Sequence, residues 1–194
     1  MTPALIVALT LTVTPGMVQF VARVHDYVDT HRRLAAGIEQ PLCSAPEELA
    51  AQADALAAAI REARPRAREG DIFTLAAADT FRARIAAMVA RHGIDVADAA
   101  RNDDEGAEFE LRVLGTPPWR IDMAAWAPIV RELQELPAEL EYRFVGRHLV
   151  LVDTGANLVV DILRDALPLA AIPVSSAPRP TFCHVHPELD ACWM

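Results

Sequence analysis

Lysine is absent from this chain: all 18 of its basic side chains are arginine. That removes every chemistry that runs through a lysine amine, including the Walker A lysine, the strand lysine of protein kinases and the Schiff base with pyridoxal phosphate. Serine is nearly as scarce. Ser44, Ser175 and Ser176 are the only ones, and none sits in a G-x-S-x-G elbow. The spacings H-E-x-x-H, C-x-x-C, C-x-x-C-H and G-x-G-x-x-G do not occur either. Positive charge is in deficit, with a formal net charge of −9. A nucleic-acid partner needs a basic stripe to displace counterions. The densest basic run, residues 61–68, is short and broken by Glu62, and reads as a solvated helix end with its loop. No apolar run approaches the ~20 residues that cross a bilayer. Nucleic acid and a transmembrane span are therefore both excluded as expectations.

What is present points to helices. Hydrophobic residues make up 53 % of the chain while aromatics make up 6 %, so alanine and leucine supply much of the apolar content. At 194 residues one domain is expected, long enough to bury a core without staples. Residues 4–13, ALIVALTLTV, have the length of a signal-peptide apolar region, and Thr14-Pro15-Gly16 offers small residues for cleavage after Gly16. No Arg or Lys precedes that run. Residues 1–16 are read as a signal peptide and the protein as periplasmic or secreted, the alternative being a buried N-terminal strand or helix.

Apolar residues recur at helical spacing from Met17 to Ile38, through Phe20, Val21, Val24, Val28, His31, Leu34 and Ala35. A second helix is expected from Ser44, with Ser44 and Glu47 as a capping box, a stripe of Leu49, Ala53, Leu56, Ile60 and Ala63, and Pro65 as its stop. A third runs from about Thr74 to His92, on a stripe ending in Met88 and His92, with Gly93 after its end. Short connections make the three antiparallel neighbours. Residues 108–114 alternate apolar and polar, which predicts a half-buried strand, and a helix is predicted over 123–136 with Pro128 in its first turn. Then come three strands, 142–145, 148–152 and 157–163. They are joined by Gly146-Arg147 and by Asp153-Thr154-Gly155, with glycine supplying positive φ. Glu141 and Arg143 are expected to pair across strands with Arg147 or Asp161. The predicted fold is α+β: a helical region over 17–104, a strand, helix and meander over 105–166, and a Pro-rich Cys/His tail over 167–194.

Asp153-Thr154-Gly155 between two apolar runs is also the local signature of an aspartic-protease half-site. Such an enzyme needs two aspartates sharing a proton. Only about 39 residues follow Gly155, and the upstream half is helical where a retropepsin-like chain is β. The motif is read as a turn, with a protease-like role for Asp153 kept as the remote alternative.

Four patches carry a family resemblance: Asp26-Tyr27-Val28 with His31-Arg32; residues 70–74, GDIFT; residues 141–147, EYRFVGR; and residues 156–161, ANLVVD. On them the chain resembles uncharacterised secreted bacterial proteins with N-terminal export signals. The resemblance implies a secreted or periplasmic setting and a helix-then-hairpin layout. It implies no activity.

The chemistry-bearing residues cluster at the C-terminus in TFCHVHPELDACWM. In an extended backbone His184 and His186 share a face, a usable pair for Zn²⁺ or Cu²⁺. Cys183 turns away and can close a disulfide with Cys192 in an oxidising compartment. The plainer readings are an inert disulfide-closed tail or a reduced tail without fixed structure. Cys43, the odd thiol, precedes a helix N-terminus that would favour its thiolate, and otherwise packs or pairs with a tail cysteine. His31 and Tyr27, one turn apart, suit a pocket between helices or a hydrogen-bonded core. The functional expectation is an exported, non-catalytic binding or accessory protein with a protein or small-molecule ligand. The alternative is a Zn- or Cu-dependent or thiol enzyme using the Cys/His segment.

Overall fold

Three N-terminal helices and a C-terminal antiparallel sheet form the α+β arrangement that the periodicity predicts. The structure, a computed structural model, describes residues 14–39, 45–96, 110–117 and 126–168. Its helices are α1 (Pro15–Ala35), α2 (Pro46–Ala63), α3 (Leu75–His92) and the short α4 (Ala127–Glu132). Its strands are β1 (Leu140–Val145), β2 (His148–Asp153) and β3 (Leu158–Leu163), paired in that order. Among the described residues no helix is long and apolar enough to cross a membrane.

Helix α1 buries one face built from Met17, Phe20, Val24, Tyr27, Val28 and His31, the i, i+3, i+4, i+7 stripe of the sequence. Pro15 stands in its first turn, and the Thr14 carbonyl accepts the Met17 amide at 2.9 Å. Gly16 has a packing role. A Cβ there would lie 2.3 Å from the Ala76 carbonyl oxygen, so α1 and α3 meet this closely only over glycine. Helix α2 is shallower, burying only Leu56, Ala57 and Ile60, while Leu49 is 47 % exposed. Ser44 of the expected capping box lies outside the described residues. Ala45 occupies the cap without a side-chain hydrogen bond, and Glu47 and Glu48 in the first turn instead suit the helix dipole. Helix α3 starts at a Thr74 cap and ends on Gly93 at φ 62°. Val89, not the expected His92, completes its buried face.

The sheet is a meander with a two-residue turn at Gly146-Arg147, where Gly146 takes φ 54°. Between β2 and β3 the register shifts, Leu151 facing Asp161 and Val152 facing Val159, so Val160 is the extra residue of a bulge. Leu149, Leu151, Leu158 and Val160 join the helical core. Val150, Val152, Val159 and Ile162 form a second apolar cluster, against which Leu111 and Val113 pack. The strand expected over 108–114 is replaced, over its described part, by a turn. The Gly115 amide bonds the Arg112 carbonyl at 3.0 Å and Leu114 takes φ 61°, leaving only two backbone hydrogen bonds to Val159. The alternation is real, because Leu111 and Val113 do pack inward, but the chain bends before a ladder can form. The helix expected over 123–136 is also shorter, ending at Glu132 as Leu133 turns extended; residues 121–125 lie outside the described part.

Every aromatic among the described residues is buried. Phe20 stacks on Phe73 at 5.4 Å and meets Phe81 edge-on at 4.8 Å, with Tyr142 from β1 at 6.4 Å. Each such ring contributes roughly 2–3 kcal/mol of burial, and together they fix α1 and α3 over β1.

Candidate functional site

Tyr27 and His31 are one helical turn apart, so both point from α1 into the sheet. They meet Asp153 at the end of β2. The Tyr27 hydroxyl donates to Asp153 Oδ2 at 2.6 Å, and His31 Nδ1 lies 2.6 Å from the same oxygen. Asp153 Oδ1 accepts the Ala156 amide at 2.8 Å. Asp153 is 0 % exposed and His31 7 %. Burial first, and the Asp153 charge second, push the Tyr27 phenol well above its ordinary range.

The turn after Asp153 is present, but its glycine acts differently from expectation. The left-handed residue is Asn157, at φ 48°, not Gly155. Gly155 provides space: a Cβ there would meet His31 Cε1 at 3.2 Å. The imidazole passes over the turn because the side chain is missing.

Chemically, an aspartate bonded to an imidazole Nδ1 is half of a nucleophile-activating relay. Here both carboxylate oxygens already hold donors inside the fold, and no hydroxyl or thiol nucleophile is bonded to His31 among the described residues. The cluster's geometry is that of a satisfied buried network tying α1 to the β2–β3 turn.

A cleft of about 360 Å³ opens beside this network. Arg23, Asp26, Thr30 and Arg33 line it from α1, and Arg64 and Asp71 from the end of α2 and the loop beyond. Tyr27 connects cleft and network. Its ring carries the Arg64 guanidinium at 5.1 Å from the ring centre, a cation–π contact. Arg64 belongs to the basic run read as a solvated helix end. That reading fails for this residue, whose side chain is only 19 % exposed and whose Nη1 is buried with no acceptor.

Asp161, expected only as a cross-strand charge partner of Glu141 or Arg143, is with Asp153 a fully buried aspartate among the described residues. It accepts the amides of Gly70 at 2.8 Å, Ile72 at 2.7 Å, Phe73 at 2.7 Å and its neighbour Ile162 at 2.8 Å. It thereby pins the loop entering α3 to β3. Burial raises its carboxyl above the ordinary aspartate value, against the pull of those amides. Glu141 and Arg143 pair with each other along β1, not across strands, and Arg147 instead bonds the Leu167 carbonyl at 2.9 Å. His92, in the last turn of α3, bonds Glu132 of α4 at 2.6 Å. That bond, before the Arg91 charge, holds the Glu132 carboxyl low.

Cys43, Cys183, His184, His186 and Cys192 lie outside the described residues. Among the described residues no group of three or more His, Cys, Asp or Glu side chains is placed to hold a metal ion. Comparison with family models, with curated proteins and with solved structures finds no match to this chain.

Proposed function

We propose that the protein is an exported, non-catalytic binding module whose ligand site is the cleft between α1 and the end of α2. The observation that carries this reading is the rigid seat of that cleft. Tyr27 is held from within by Asp153 at 2.6 Å and is covered on its cleft side by the Arg64 guanidinium. A polar concavity whose walls are fixed before the ligand arrives loses little entropy on binding. The non-catalytic part of the reading is supported by Asp153, whose oxygens are committed to three donors.

Export is supported by the apolar run at residues 4–13. Gly16 bears on where a leader would be cut. It stands in the first turn of α1, where only glycine fits against Ala76. We therefore place processing before Thr14 rather than after Gly16, which keeps the Thr14 carbonyl as the helix start.

The test is native mass spectrometry of the full chain after incubation with the small molecules of the medium around the cells that make it. One compound should remain bound, leave with unchanged mass, and fail to bind when Thr30→Trp fills the cleft. A compound released with altered mass, or no retained compound, contradicts the reading.

A further inference from the structure

We infer that the cleft takes a small oxyanion, a carboxylate or phosphate group, with Arg64 as its anchor; this rests on the cleft being the binding site. The first ground is charge. Arg23, Arg33 and Arg64 line the cleft against Asp26 and Asp71, an excess of one positive charge on a chain of net charge −9. Arginine is the side chain whose planar fork of donors matches a carboxylate or phosphate edge.

The second ground is unmet donor capacity. Arg64 Nη1 is buried without an acceptor, and Arg64 Nη2 stands 3.8 Å from Asp71, beyond hydrogen-bond reach. Asp71 is engaged elsewhere, accepting the Arg68 amide at 3.1 Å. Arg33 spends one donor on Thr30 Oγ1 at 3.2 Å, and Arg23 has no carboxylate within ion-pair distance among the described residues. Cationic groups this short of acceptors around one concavity call for an acceptor from outside. Tyr27 sharpens the choice of anchor. It holds the Arg64 guanidinium carbon 5.1 Å from its ring centre, which keeps this cation at the cleft wall where an oxyanion would enter. A volume of about 360 Å³ suits a group the size of a small metabolite.

The test titrates the full chain with inorganic phosphate and, separately, with succinate, at ionic strength matched by sodium chloride, followed by calorimetry and thermal unfolding. At least one should bind saturably. Arg64→Gln should weaken that binding by roughly tenfold or more, the loss of one charged hydrogen-bond set. Arg23→Gln should weaken it less, and Arg66→Gln, outside the cleft, should leave it unchanged. Saturation by phosphate alone assigns a phosphate ligand, and by succinate alone a carboxylate. If Arg64→Gln loses its fold by circular dichroism, Arg23→Gln and Arg33→Gln together carry the test. Two results overturn the inference: neither anion saturating beyond chloride, or Arg66→Gln losing as much as the cleft variants. Retention of a neutral compound that Thr30→Trp blocks would overturn the oxyanion while leaving the binding module standing.

Discussion

Two aspartates are buried completely among the described residues, and they are satisfied in opposite ways. Asp153, at the β2–β3 turn, is held mostly by side chains, Tyr27 and His31 of α1. Asp161, within β3, is held by backbone, accepting four amides, three of them from the loop entering α3. One joins a helix to the sheet through residue identity, the other joins a loop through chain geometry. A side-chain partner can rotate or change tautomer when its acceptor goes, whereas a backbone amide cannot leave its place. The backbone-held site should therefore be the less forgiving of the two.

Removing each carboxylate tests that ranking directly. Asp161→Ala strands the buried amides of Ile72 and Phe73 and frees that of Gly70, and should cost about 3–5 kcal/mol in chemical denaturation, at ~1–3 kcal/mol for each buried donor. Asp153→Ala leaves the Tyr27 hydroxyl and the Ala156 amide unpaired, but His31 can turn toward solvent, and the expected cost is about 2–4 kcal/mol. The reverse order, measured on both variants, would break the comparison.

Acidity should separate the two regions by sign. Asp161 has a folded pKa raised above its ordinary 3.8 by burial. Its relative contribution is full below that value and is lost as pH rises through the folded pKa. Wild type should thus hold its largest advantage over Asp161→Asn in acid, the gap narrowing as pH rises. Beside the Asp153 turn, Glu139 receives the Arg32 guanidinium at 2.6 Å, and this bond holds its carboxyl below the ordinary 4.5. That contribution is present above 4.5 and lost as pH falls through the folded value, so Glu139→Gln should differ from wild type near neutrality and converge with it in acid. Arg32 is 60 % exposed, so solvent screens the pair and the effect is small. Gaps that move the same way with pH would show that the two ends are not distinct.

The smallest effect concerns His148, away from both aspartates. Its Nδ1 accepts the Asp165 amide at 3.0 Å, and burial holds its pKa below the ordinary 6.5. Neutral imidazole is the bonded form, so stability is full above 6.5 and falls as pH drops through the lower folded value. Being partly exposed, the site should contribute a few tenths of a kcal/mol, visible as a shallow slope that His148→Asn flattens.

The same contrast explains what could be read from sequence. Helices α1 and α3 are legible because Phe20, Val24 and Val28, and Ala77, Phe81 and Ile85, repeat at the helical period. The meander is legible because turn residues punctuate short β-branched runs. His31 and Tyr27 are visible as a polar pair on an apolar face, which is the signal a side-chain network leaves. Asp161 left no such signal, since its partners are the amides of residues 70, 72 and 73, and an amide has no residue identity. Gly155 misled for a related reason: a missing Cβ reads as a turn glycine, whereas here it makes room for His31, as Gly16 does for Ala76. The turn at 112–115 was hidden because alternation records which side chains face inward, not whether the backbone continues straight. Arg64 looked solvated because nothing in a basic run marks the one residue that folds back over a ring.

The claim underneath all of this is that Tyr27 and Asp153 act together as a brace inside the fold. A double-mutant cycle tests it most directly: unfolding free energies of wild type, Tyr27→Phe, Asp153→Asn and the double variant in denaturant at pH 7. A buried charged hydrogen bond predicts a coupling of about 1–3 kcal/mol, with the double variant losing clearly less than the sum of the single losses. Losses that add within about 0.5 kcal/mol would mean the two groups do not support each other, and Asp153 would have to be buried for some other purpose.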